Sequence, residues 1–239
     1  MPKPMVTIGN KPILVHIMEC YASFGFNEFV IALGYKSEVI KEYFLNYYAL
    51  SSDFEVNLND GSIKYINETK KDWKVQLVDT GESTMTGGRV KRLSKLIGDN
   101  DFMLTYGDAV SDVDIKKLVR AHGTSGKLAT VTAVHPVARF GELGIGENNK
   151  VSSFREKSQV DTGWINGGFF VFGSEIFKLI DNDSSVLEKE PLEWLANNNQ
   201  LNAYKHDGFW QCMDTVRERD TLEELWKSGA APWGVNSHV

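Results

Sequence analysis

Two aspartates stand out by residue type and setting. Asp108 follows Gly107 at the end of an apolar run, FMLTYGDAV. A carboxylate at the carboxyl end of a buried strand, behind a glycine that lets phosphates approach the backbone, is where open α/β sheets place a catalytic or metal-binding acid. Its competing role is to cap the following helix, although Asp112 is available for that cap. Asp214 closes GFWQCMD, after a run dominated by large apolar residues, which puts it at the edge of a packed pocket. It either caps the helix that ends near Trp226 or faces a cation. Asp112 and Asp114, in SDVD, form an Asp-x-Asp triplet that can hold a metal-bound sugar nucleotide. The alternative for that pair is a helix start favoured by the macrodipole.

The segment Met85-Thr86-Gly87-Gly88-Arg89 is the nearest approach to a glycine-rich anion site. Its two glycines allow close backbone approach, a helix start follows, and Arg89 can pair with a phosphate or a base carbonyl; the alternative is a plain turn. It lacks the Lys-Ser/Thr ending of a P-loop. Glu156-Lys157 offers a lysine for a phosphate beside an acid for sugar hydroxyls, or simply an exposed ion pair. Asn166-Gly167-Gly168 is turn chemistry as well as a polar reader of a ligand. The histidines at 16, 122, 135, 206 and 238 show no metal-ligand spacing, and His16 reads as a core residue of the first helix. No Ser/His/Asp or Cys/His set stands out, so covalent nucleophilic catalysis is disfavoured.

These residues need a scaffold of alternating strands and helices. Leu14, Ile17, Met18 and Tyr21 share one face of a helix that Gly25 closes, and EFVIAL (residues 28 to 33) reads as a strand buried on both faces. Ser37 can cap the next helix, and Asp60-Gly61 marks a hairpin turn between EVNLND and SIKYIN. A helix starting near Gly88, a buried strand FMLTYGDAV that breaks at Gly107-Asp108, a helix over 112–121, the strand LATVTAV, a β-rich stretch from Leu143 to Arg155 and the strand GGFFVF follow. This order predicts an α/β fold, a Rossmann-like doubly wound mixed sheet with an added β-rich layer, in a single domain over 1–239.

Composition narrows the partners. Among 239 residues, 26 Lys+Arg face 32 Asp+Glu, a net charge of −6, which argues against a surface that binds nucleic acid. No apolar run approaches a membrane span and no secretory leader is read at the start, so a cytoplasmic location is expected. Cys20 and Cys212 lack CxxC spacing and read as buried thiols. The aromatic segment from Leu225-Trp226 to Trp233 packs on its own domain or supplies a homo-oligomer interface.

Taken in order, Lys3-Pro4-Met5, Lys11-Pro12-Ile13, DTGESTMTGGR, TYGDAVSDVD, FGELGI with FREK, NGGFFVF, KEPLEWL and GFWQCMDT resemble the sugar-phosphate nucleotidyltransferases, and most of all their cytidylyltransferase group. The resemblance implies transfer of a cytidylyl group from CTP to glucose 1-phosphate with Mg²⁺. It implies Asp108 and Asp214 as metal ligands, Lys3 on the nucleotide phosphates and Lys157 on the sugar phosphate. Thr86, Gly87, Gly88 and Arg89 then fall at the nucleotide base, and Gly141, Glu156, Asn166 and Glu190 at the hexose. Members begin with a strand and a glycine-rich loop ending in Thr-Arg-Leu, and the present sequence is expected to start after it. Ala109 and Ser158 stand where members commonly carry glycine and proline. Two rival readings follow: a non-catalytic relative acting in binding or assembly, and a glycosyltransferase using Asp112 and Asp114.

Overall fold

The computed structural model describes residues 1–66, 71–136, 142–145, 147–155 and 163–234. A 3₁₀ turn over Lys3–Met5 and the short pair β1 (Thr7–Ile8) and β2 (Lys11–Pro12) lead into α1 (Ile13–Ser23). There follow β3 (Glu28–Leu33), α2 (Ser37–Leu45), α3 (Tyr47–Leu50), β4 (Asp53–Val56), β5 (Ile63–Ile66) and β6 (Lys74–Asp79). The middle of the chain forms α4 (Thr86–Arg92), α5 (Ser94–Ile97), β7 (Phe102–Thr105), β8 (Ala109–Ser111), α6 (Ile115–Ser125) and β9 (Ala129–Val134). Then come β10 (Glu142–Ile145), β11 (Val151–Arg155), β12 (Ile165–Phe172), a 3₁₀ segment Ser174–Leu179, α7 (Glu190–Asn197), β13 (Leu201–His206), β14 (Trp210–Cys212) and α8 (Val216–Lys227).

The largest sheet has the order β13-β9-β12-β7 and is mixed: β13 and β9 run parallel, while β12 is antiparallel to both its neighbours. β3 and β6 form a separate parallel pair, and β8 pairs antiparallel with β14. β12 shows why GGFFVF reads as continuously apolar. Phe169 and Val171 enter a core with α1, α6 and α8, while Phe170 and Phe172 enter a second core with the 3₁₀ segment, α4 and α7. Phe170 and Phe172 are fully buried, a gain of about 2–3 kcal/mol each from apolar burial.

β3 departs from the expected burial on both faces. Phe29, Ile31 and Leu33 pack against α1 and α2, but residues 28, 30 and 32 are exposed. β3 pairs only with β6, and among the described residues no layer covers that second face. The Asp60-Gly61 hairpin forms, with Gly61 at φ +73°, a backbone region that favours glycine. Cys20 is buried as expected, whereas Cys212 is only half-buried. His16 is a core residue: its Nε2 lies 2.9 Å from the Ile8 carbonyl oxygen, and its ring meets Trp226 and Trp233 edge-on. Trp233 is buried against Phe209, so the described part of the carboxyl-terminal segment packs on its own chain.

Candidate active site

Asp108 and Asp214, far apart in sequence, meet because of one ladder. β8 and β14 pair with Ala109 opposite Cys212, and the Met213 N–H donates to the Asp108 carbonyl at 2.8 Å. Both carboxylates therefore leave the same end of that ladder. Lys3 joins them: its ammonium donates to Asp108 Oδ2 at 2.8 Å and also to Asp214 Oδ1. Lys3 reaches this position because Pro4 lies against Gly107, where an added Cβ would stand 2.9 Å from Pro4 Cγ. The sequence assigned that glycine to the approach of phosphates; here it admits the proline ring that carries Lys3 inward. Partial burial pulls the Lys3 pKa down, but the hydrogen bonds and charges of Asp108 and Asp214 outweigh it and hold the ammonium above the ordinary lysine range.

The trio carries a formal charge of −1 and converges two carboxylates on one cation, the donor set a hard divalent ion such as Mg²⁺ requires. Cys212, Asp214 and Glu218 also bring ligand atoms within 4.8 Å of one another. That group is less suited to Mg²⁺, because a thiol is a soft donor and Glu218 is engaged. Its Oε2 accepts from the Asp214 and Thr215 N–H groups, while Thr215 Oγ1 accepts from the Glu218 N–H. Thr215, not Asp214, therefore caps α8, and Asp214 faces a cation. The SDVD pair is similarly resolved. Asp114 caps α6 through the Lys117 N–H at 2.9 Å, and Asp112 Oδ1 lies 2.9 Å from His206 Nε2. The cap thus falls on Asp114 and not on Asp112, and both acids of the triplet have structural partners.

Beside the aspartates lies a network of hydroxyls that the sequence did not disclose. Glu188 accepts from the Tyr106 hydroxyl at 2.6 Å through Oε1 and from the Thr86 hydroxyl at 2.6 Å through Oε2. Tyr106 in turn accepts from Asn166 Nδ2 at 3.2 Å, and Asn166 Oδ1 accepts from the Gly168 N–H at 2.8 Å. Burial raises the Tyr106 pKa, and the adjacent Glu188 carboxylate raises it further, so the phenol keeps its proton. Gly168 has φ +77°, and a Cβ there would stand 2.6 Å from the Tyr106 ring. The second glycine of NGG thus seats Tyr106. Glu190, the acid singled out in KEPL, is exposed at the start of α7, and the acid joined to Tyr106 and Thr86 is Glu188. The only sequence signal for Glu188 was its nearness to Glu190, in a segment without periodicity.

The loop from Thr86 to Arg89 has a different internal logic from the one expected. Added Cβ atoms at Gly87 and Gly88 would stand 2.8 and 2.6 Å from backbone atoms of Ser185 and Asp183. These glycines let α4 pack closely on the 183–187 segment. Arg89 donates to the Leu33 carbonyl at 3.0 Å, to Thr80 Oγ1 at 2.7 Å and to the Glu82 carbonyl at 3.1 Å. It fastens β3 to the loop after β6, and only its Nε–H and one Nη2–H are left over from those three bonds. Gly141, Glu156 and Lys157 lie outside the described residues.

Comparison with known proteins places the chain among relatives of known family. The family profile described as Nucleotidyl transferase matches residues 1–215. The chain is 48% identical to glucose-1-phosphate cytidylyltransferase of Salmonella typhi, over 97% of this chain and 90% of that protein. It is 39% identical to the probable glucose-1-phosphate cytidylyltransferase of Bacillus subtilis (strain 168), over 98% of this chain and 92% of that protein. Among solved structures, HddC from Yersinia pseudotuberculosis superposes with a TM-score of 0.67 at 23% identity, covering 95% of this chain and 90% of that one, a likeness of fold. With its mixed sheet, paired strand-end aspartates and these relatives, the chain belongs to the nucleotidyl transferase family.

Proposed function

We propose that this chain transfers the cytidylyl group of CTP to glucose 1-phosphate, releasing pyrophosphate and forming CDP-glucose. The identity to the Salmonella typhi enzyme over nearly the full chain supports the substrates. The observation that carries the chemistry is the convergence of Asp108 and Asp214 on one cationic nitrogen. A phosphate oxygen of glucose 1-phosphate attacks the α-phosphorus of CTP in line. The new P–O bond forms as the bond to the β-phosphate breaks, and pyrophosphate leaves. The nucleophile is already anionic at neutral pH, so no histidine or serine is required. The protein aligns the reactants and neutralises charge.

Asp108 and Asp214 would hold Mg²⁺, which would supply positive charge to the phosphates. Lys3, which pairs with both aspartates in the free chain, turns toward the triphosphate when the nucleotide binds. Lys157 holds the sugar phosphate. Thr86, Gly87, Gly88 and Arg89 shape the base side, Arg89 by bracing the loop. Gly141, Glu156 and Asn166 read the hexose, with Glu190 as an outlying member. A single cytoplasmic domain, free or in a homo-oligomer, then makes an activated sugar for polysaccharide synthesis, with no nucleic-acid or membrane partner. Among the described residues no helix is long and apolar enough to cross a membrane.

Pyrophosphate release from CTP, glucose 1-phosphate and Mg²⁺ tests this reading, run on this chain and on one extended by a family-like amino-terminal loop. Release that stops in Asp108→Asn supports it. No release from either chain supports an assembly subunit instead, and release of a nucleoside diphosphate would support the glycosyltransferase.

A further inference from the structure

We propose that Glu188 is a positioning residue for the sugar-phosphate side of the site, acting through Tyr106 on Asn166. The inference rests on the assignment of Asn166 to the hexose and extends it by naming what holds that asparagine in place.

The direction of each hydrogen bond follows from what each group can do. An ionised carboxylate only accepts, so both Glu188 oxygens must face donors, and they face the hydroxyls of Tyr106 and Thr86. The Tyr106 proton is thereby committed to Glu188. The phenol oxygen is left as an acceptor and takes an N–H from Asn166 Nδ2. The other end of the Asn166 amide accepts from the Gly168 N–H, which can only donate. The amide is thus fixed at both ends, and its second Nδ2–H and second Oδ1 lone pair have defined directions for a sugar hydroxyl. Thr86 sets the rotation of the carboxylate. Its hydroxyl donates to Oε2 while its oxygen accepts from the Leu187 N–H at 2.9 Å, next to Glu188 in the chain.

Removal of the Glu188 carboxylate frees the Tyr106 proton to turn toward Asn166 Nδ2, where it meets another donor. Asn166 then loses its second tether. Glutamine at 188 still offers one oxygen to the phenol, whereas alanine offers none. A relay and a direct carboxylate–sugar contact therefore differ in outcome. In the relay Glu188→Gln is mild, Tyr106→Phe mimics Glu188→Ala, and the double variant is no worse than either single one.

The experiment measures glucose 1-phosphate binding by calorimetry, and KM and kcat in the pyrophosphate assay, for wild type, Glu188→Ala, Glu188→Gln, Tyr106→Phe and Glu188→Ala/Tyr106→Phe. Thermal melting confirms that each is folded. Glu188→Ala and Tyr106→Phe are expected to weaken sugar-phosphate binding about tenfold, as is their combination, with Glu188→Gln within about threefold of wild type. KM for the sugar phosphate rises in step, while kcat at saturation changes little. The relay is overturned by wild-type affinity in Glu188→Ala, by additive losses in the double variant, by failure of glutamine to rescue, or by a wild-type chain that does not bind glucose 1-phosphate. Binding without turnover in both the wild type and the chain extended by an amino-terminal loop would instead sink the cytidylyltransferase reading and leave the relay tested by affinity.

Discussion

Two clusters in this chain use the same three-charge arithmetic with the signs exchanged. Near the amino terminus Lys3 lies between Asp108 and Asp214; on α1, Glu19 lies between Lys11 and Lys71. The first trio sums to −1 and is open to water, with side-chain exposures of 41% for Lys3, 28% for Asp108 and 49% for Asp214. The second sums to +1 around a Glu19 side chain only 9% exposed. Burial alone would raise the Glu19 pKa, but its hydrogen bonds to Lys11 and Lys71 overcome this and hold it below the ordinary glutamate range. Burial makes the second cluster part of the fold. Exposure leaves the first able to exchange its cation, which the proposed metal- and phosphate-handling role needs.

The contrast is broken most severely by Asp108→Asn. Turnover is expected to fall about 10²–10³-fold at saturating substrate, with the melting temperature nearly unchanged, as read by pyrophosphate release and calorimetry. The reciprocal variant, Glu19→Gln, should do the opposite. Two lysines lose the carboxylate between them, so denaturant unfolding should show a loss on the order of 2–3 kcal/mol, while kcat in the folded fraction stays within about twofold.

A subtler change sharpens the comparison. In Lys3→Met the two aspartates lose their resident ammonium, and Mg²⁺ no longer competes with it. Calorimetry on the free chain should show Mg²⁺ binding roughly tenfold tighter, although turnover falls because the triphosphate has lost a cationic partner. The smallest effect is on acid stability. Burial lowers the His16 pKa below its ordinary 6.5, so as pH falls through that value the unfolded chain takes up a proton that the folded chain refuses. Stability therefore declines as pH falls below 6.5. Melting curves between pH 7.5 and 5.5 should slope less in His16→Gln. Some slope remains because burial lowers the His122 pKa as well.

The sequence was most legible where chemistry and local structure coincide. TYGDAV and GFWQCMDT each put an acid after an apolar run, and the structure brings both acids to one nitrogen. What brings them together is the pairing of Ala109 with Cys212, a non-local register that no local pattern encodes. Glycines were readable as close-approach points but not as to what approaches. Gly107 receives Pro4, Gly87 and Gly88 receive the 183–185 backbone, and Gly168 receives the Tyr106 ring. Neighbouring acids were equally hard to separate. Asp114 rather than Asp112 caps α6, and Glu188 rather than Glu190 meets Tyr106, because side-chain direction depends on backbone set by distant packing. β12 was readable throughout, since burial in two cores leaves an unbroken apolar text, whereas the similar text of β3 hid an exposed face.

The proposed chemistry requires Asp108 and Asp214 to act together on one divalent ion. Titration of the free chain with Mn²⁺, followed by electron paramagnetic resonance, measures this directly. One bound ion per chain in the wild type, lost in Asp108→Asn and equally in Asp214→Asn, is the predicted result. Binding that survives in either variant, or that shifts instead with Glu218→Gln, would contradict it.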